Sequence, residues 1–156
     1  MEKIIVGSDH GGFALKEALK GFLTRKGYRV TDVGTYSEES CDYTDYAVAA
    51  ARQVASGKYR RGIIICKSGI GNSIVANRLP GVRAALCYTL ICAKLSREHN
   101  DSNMLVLGSA FTAPGLAKRM VTAWLATPFA GGRHARRLRK IKQVELYAAT
   151  MTRNGR

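Results

Sequence analysis

The stretch RGIIICKSGIGNS, residues 61–73, decides how this chain folds. Three consecutive Ile residues run into Cys66 with no alternation of polar and apolar side chains. A strand of that kind is covered on both faces, as strands are in a parallel sheet with helices on either side. A short turn holding Gly69 and Gly71 follows, and Asn72–Asn77 reads as the start of a helix. The unit is strand, Gly-bearing loop, helix: half of a parallel crossover.

The same alternation extends outward in both directions. Lys3–Gly7 (KIIVG) is a short apolar strand. Phe13–Lys26 places Leu15, Ala18, Leu19, Phe22 and Leu23 at helical spacing, with Gly27 as a stop. Arg29–Val33 is a second strand and Asp45–Ser56 an Ala-rich helix ending at Gly57. Beyond the central unit come a strand at Arg83–Cys87, a helix at Thr89–His99 and a strand at Asn103–Gly108. Pro114 opens a helix to about Leu125, and a basic helix spans about 133–149. The expectation is an open five-stranded parallel sheet with helices on both faces, one domain over residues 1–149, and a disordered tail at 150–156.

The bulk composition narrows the function classes. A chain of 156 residues that is 46% apolar buries a full core without disulfide or metal staples. Its four cysteines form no CxxC pair, and neither a leader nor a membrane-length apolar run is evident. These features predict a cytoplasmic protein with reduced thiols and no membrane partner. The net charge is +14, and residues 132–156 hold eight Lys/Arg against one Glu. Such a segment is either a solvated basic helix or a means of capturing a phosphorylated small molecule or nucleic acid. Aromatic residues are few and not interleaved with the basic ones, so no stacking platform favours nucleic acid.

In open parallel sheets ligands bind at the carboxyl ends of the strands. Four segments are expected there: SDHGG (8–12), GTYSEESCDYTDY (34–46), CKSGIGNS (66–73) and HND (99–101). Asp9 and His10 follow the first strand directly; an Asp there is either a site residue or a helix N-cap. Cys66 precedes Ser68, Gly69 and Gly71, whose N–H groups with the helix start form an anion-binding concavity. That setting lowers a thiol pKa from its free value near ~8.5, although a buried inert Cys at a strand end is the ordinary alternative. Cys41, Cys87 and Cys92 lack this setting and read as structural. The loop lacks the Walker spacing, and GSDHGG does not fit the dinucleotide fingerprint. The chain has three histidines, His10, His99 and His134, the last within GGRHARR. Arg133 and Arg137, spaced i, i+4 on a helix, either clamp a phosphate or form a solvated face.

Together the motifs are specific. SDHGG, the DY pair at 42–43, ICKSGIGNSIVANRLPGVRAALC (65–87), SREHNDSNMLVLGS (96–109) and GGRHARR (131–137) resemble the type B ribose-5-phosphate isomerases. That family also includes galactose- and allose-6-phosphate isomerases. The resemblance implies a flavodoxin-like, Rossmann-type α/β/α sandwich. It also implies homodimers, some pairing into tetramers, with active sites shared between subunits. The implied reaction is aldose–ketose isomerisation of a sugar phosphate, most simply ribose 5-phosphate to ribulose 5-phosphate, without metal or organic cofactor. A hexose 6-phosphate or another pentose phosphate is the alternative substrate. A non-catalytic nucleic-acid-binding protein on the same fold is the more distant one.

By the same resemblance, Cys66 would be the base that moves a proton between C1 and C2. N–H groups around Ser68, Gly69 and Gly71 would hold the enediolate oxygen. Ser68, Asp9 and His99 would open the furanose ring, and Tyr43 and Asn100 would contact sugar hydroxyls. His10, Arg133 and Arg137 would bind phosphate. The chemistry is coherent: a base within reach and charge stabilisation on the oxygen are what enolisation needs. A remote phosphate supplies binding energy that fixes the reactive pose.

Three positions depart from the family pattern. Lys67 stands where many members have Gly, which strains the backbone if φ is positive there and otherwise brings an ammonium close to Cys66. Ala110 stands where many carry a phosphate-binding Arg, and Arg136, Arg139 or Lys140 are the substitutes at hand. Thr44 replaces a Pro after the DY pair, so a looser loop is expected.

Overall fold

Apolar runs set the order of the layers. The computed structural model describes residues 1–154. Strands β1 (Lys3–Ser8), β2 (Arg29–Asp32), β3 (Arg61–Cys66), β4 (Ala84–Leu86) and β5 (Met104–Gly108) make one sheet in the order β2-β1-β3-β5-β4. All four neighbouring pairs are parallel. The helices are α1 (Phe13–Arg25), α2 (Tyr43–Ala55), α3 (Ile70–Ala76), α4 (Leu90–Asn100), α5 (Pro114–Ala126) and α6 (Gly132–Asn154), with a 3-10 turn at His10–Gly12 before α1. This is the expected α/β architecture. Its order differs from the flavodoxin sequence 2-1-3-4-5 in that β5 lies between β3 and β4. The three-residue β4 thereby becomes an edge, and short edges resist unwanted strand pairing.

Alternate residues of each strand enter opposite cores. Ile4, Val6, Ile63, Ile65, Leu105 and Leu107 pack with Leu15, Leu19, Leu23, Met120 and Trp124 of α1 and α5. Ile5, Ile64, Met104 and Val106 pack with Ala47, Ala50, Ala51 and Val54 of α2 and Ala76 of α3. The unbroken run of Ile in β3 follows from this, since both faces of the strand are buried. Each fully buried Ile or Leu contributes about 1.5–3 kcal/mol. Trp124 is fully buried, and its indole N–H donates to Ser102 Oγ at 2.7 Å, tying α5 to the entry of β5.

A second tie joins α1 to β2. Lys16 is fully buried and its ammonium meets Asp32 Oδ2 at 2.5 Å, with Lys20 on the same oxygen at 2.6 Å. Burial alone would raise the Asp32 pKa; hydrogen bonds from Lys16, Lys20 and the Gly34 N–H outweigh it and hold the carboxyl below its ordinary range.

Three helix boundaries differ from expectation by two residues or more, the first being α2, which begins at Tyr43 and not at Asp45. α3 begins at Ile70, two residues early, because Gly69 at φ 84° turns the chain directly into the helix. α6 continues past Ala149 to Asn154, and Thr150 Oγ1 turns back onto the Tyr147 carbonyl at 2.7 Å within it. Residues 150–154 of the expected tail are therefore helical, and residues 155–156 lie outside the described residues. Among the described residues no helix is long and apolar enough to cross a membrane.

Candidate active site

The strand order reverses direction at β1, with β2 on one side and β3 on the other. The crevice beyond the carboxyl ends of β1 and β3 is where such sheets bind ligands. Ser8 and Ile65 are register partners, so Asp9 and Cys66 leave the sheet side by side. Asp9 is buried, and its Oδ1 accepts the Gly12 N–H at 2.9 Å. The carboxylate is thus the N-cap of the 3-10 turn while standing at the crevice. His10 is exposed, and its Nδ1 lies 3.2 Å from both the N–H and the carbonyl of Cys41. Whichever of the two it bonds, Nε2 is the nitrogen left for a ligand.

Cys66 is buried, and its Sγ accepts the Gly69 N–H at 3.1 Å. Gly69 has a left-handed φ of 84°, and a Cβ there would meet Leu86 Cδ1 and lie 3.2 Å from the Leu107 carbonyl. Only glycine lets the loop aim that amide at the sulfur. Ser68 Oγ accepts the Ile70 N–H at 3.2 Å, and the Ser68 carbonyl accepts the Tyr88 hydroxyl at 2.8 Å. The ring of Tyr43, from the first turn of α2, covers Gly71 so closely that a Cβ on Gly71 would stand 2.5 Å from it. Asp9, His10, Tyr43, Cys66, Ser68, Gly69 and Gly71 are therefore gathered at the carboxyl edge.

Two doubts about the departures resolve. Among the described non-glycine residues only Asp101 has positive φ, so Lys67 sits unstrained. Thr44 lies in the first turn of α2 and belongs to a helix, not to a looser loop.

The HND segment does not join this edge. A helix that leads into a parallel strand ends at the amino edge, and α4 leads into β5. Asp101, at φ 44°, caps α4 in the left-handed conformation and is held by Arg83 at 2.9 Å and Arg97 at 2.7 Å. His99 and Asn100 sit in the turn that this cap closes. The His99 ring stacks on the His134 ring with centroids 4.2 Å apart and planes 6° from parallel. That contact brings the start of α6, with exposed Arg133 and Arg137, beside His99. Burial, then the neighbouring His99, Arg133 and Arg137, hold the His134 pKa below its ordinary range, with Glu98 opposing. Asn100 also lines a cleft of about 740 Å³ between α6 and residues 77–85, away from Cys66. Five steps of roughly 3.3 Å along β3 separate the two edges by about 16 Å. One chain therefore holds the predicted site residues in two groups that do not meet.

Sequence reasoning missed the hold of Cys41 on His10, and nothing local signals a contact across that loop. Of the other cysteines Cys87 is a core residue, Cys41 is half-buried against His10, and Cys92 is exposed. The amino-edge position of His99 did have a signal, since the helix ending there runs straight into a strand.

The chain matches the model of the family described as Ribose/Galactose Isomerase over residues 4–141. It belongs to that family. It is 45% identical to ribose-5-phosphate isomerase B of Escherichia coli over 93% of this chain and 97% of that protein. The structure of ribose-5-phosphate isomerase B from Clostridium thermocellum superposes with a TM-score of 0.92 at 48% identity, covering 94% and 99% of the two chains. The Mycoplasma genitalium isomerase solved with bound ribulose-5-phosphate gives 0.88 at 36% identity over 92% and 95%. A D-erythrulose-4-phosphate isomerase of Pectobacterium atrosepticum is 37% identical over 93% of this chain and 96% of its own. As a member of the ribose/galactose isomerase family, the chain is a sugar-phosphate isomerase.

Proposed function

We propose that the chain interconverts ribose 5-phosphate and ribulose 5-phosphate, with Cys66 as the base. The observation that carries this reading is the Cys66 sulfur at the β1–β3 crevice with the Gly69 N–H on it. A main-chain donor aimed at sulfur favours the anion needed to take a proton from carbon. The proton leaves C2 of the open-chain aldose for Sγ and the C1 oxygen takes up the charge; the C2 hydroxyl proton passes to the C1 oxygen, and the proton on Sγ is delivered to C1, leaving the ketone at C2. Because the Gly69 amide is engaged by sulfur and that of Ile70 by Ser68 Oγ, the donors for the enediolate are those of Gly71 and Asn72 in the open first turn of α3. Asp9 and Ser68 serve ring opening, and Tyr43 borders the sugar.

His99, Asn100, Arg133 and Arg137 complete the site from a second copy of the chain, whose amino edge meets this carboxyl edge. The separation of the two groups within one chain supports that assembly. His10 and the two Arg residues then hold the phosphate. The test is a coupled isomerase assay of the wild type on a panel of phosphorylated aldoses. Preference for ribose 5-phosphate is expected, and no turnover of any member refutes the reading. A second reading moves the preference to a hexose 6-phosphate or another sugar phosphate. Lys67 and Ala110 favour it, as does the similarity to an isomerase named for a four-carbon sugar phosphate. The same panel distinguishes the two.

A further inference from the structure

The five loops along the carboxyl edge, residues 9–12, 33–42, 67–69, 87–89 and 109–113, contain one Lys or Arg in a chain that has 25. That residue is Lys67. It is exposed, and its ammonium has no hydrogen bond or ion pair among the described residues. Its backbone is fixed from both sides. The Lys67 carbonyl accepts the Ala110 N–H at 3.0 Å, and the Lys67 Cβ lies 3.3 Å from where a Cβ on Gly11 would be. Ser109 Oγ donates to the Gly11 carbonyl at 2.5 Å, lacing the loops after β1, β3 and β5 around this side chain. Gly11 follows His10, whose Nδ1 is engaged by Cys41. Lys67, with its unpaired ammonium, is thus rooted beside Gly11, the residue after His10, whose imidazole has one nitrogen to offer, and Ala110 adds no charge of its own.

We propose that Lys67 is a substrate-binding residue that, with His10, holds the anionic terminal group of the substrate from the carboxyl edge. The proposal rests on the sugar-phosphate reading for the identity of that group. Because Lys67 is rooted one residue from Cys66, the reach of its side chain sets the span between the anion and the sulfur, and thereby which chain lengths fit. Removing a charge-assisted contact of this kind weakens anion binding without touching the proton transfer.

Titration of inorganic phosphate into wild-type protein, Lys67→Met and Lys67→Arg, followed by calorimetry, tests this apart from turnover. Lys67→Met is expected to weaken phosphate binding by about tenfold, with Lys67→Arg near wild type. Equal affinity in wild type and Lys67→Met overturns the proposal, as does a wild type that takes up no phosphate at millimolar concentration. In steady-state kinetics on the preferred sugar phosphate, Lys67→Met is expected to raise KM about tenfold with kcat little changed. A fall in kcat at constant KM would place the ammonium at the reacting carbons and overturn the assignment. Should the wild type turn over no sugar phosphate, the isomerase reading falls while the phosphate titration still judges Lys67.

Discussion

Cys66 and Cys87 are both buried cysteines at the ends of strands, but their sulfurs have different surroundings. Cys66 has an amide on its sulfur at 3.1 Å. For Cys87 burial dominates and pushes the thiol up to about 11, despite a hydrogen bond with Ser96. Cys87 is therefore a neutral thiol at pH 8, and iodoacetamide should leave it unmodified in native protein while labelling exposed Cys92. Peptide mass spectrometry reads this directly, and alkylated Cys87 would contradict it. Cys66→Ala should lower kcat by about 10²- to 10⁴-fold with sugar-phosphate affinity retained. Full activity would remove the thiol from the chemistry. The sequence marks Cys66 through the glycines behind it, and Asp9 through its place after β1. It does not mark Cys41, whose role at His10 depends on how the 34–46 loop folds back.

The contact between α4 and α6 makes pH the natural probe of elements. His134 is held below its ordinary pKa, first by burial and then by His99, Arg133 and Arg137. A base with a depressed folded pKa binds protons better when unfolded. Its contribution is full above about pH 6.5 and is lost as pH falls through the folded value. The drop in Tm between pH 7.5 and 5.5 should therefore be smaller in His134→Asn than in wild type. Parallel curves for the two proteins would exclude His134 as the titrating group. Helix and strand positions were largely legible, because apolar periodicity records burial on each face. Helix ends were less so: the early start of α3 depends on the φ of Gly69, and α6 meets no stop signal before Asn154.

At the scale of the molecule, the proposed completion of the site by a second copy predicts complementation between copies. Cys66→Ala and the double variant Arg133→Ala/Arg137→Ala should each be nearly inactive at low substrate. Mixed in equal amounts and allowed to exchange subunits, half of the dimers carry both lesions in one site and none in the other, so about a quarter of wild-type activity returns. No recovery after verified exchange would mean that each chain assembles its own site. The sheet order behind this division is not written in any local motif. Apolar strands announce a parallel sheet, but whether β5 lies inside or outside β4 depends on how long-range pairs compete.

Trp124 is the only tryptophan in the chain. Its indole bonds Ser102, which follows directly on the Asp101 cap, and the Arg61 guanidinium lies 5.7 Å from its ring. Its emission is consequently a native optical reporter on the turn that carries His99 and Asn100. Subunit docking or ligand capture there can be followed by fluorescence, without attaching a dye.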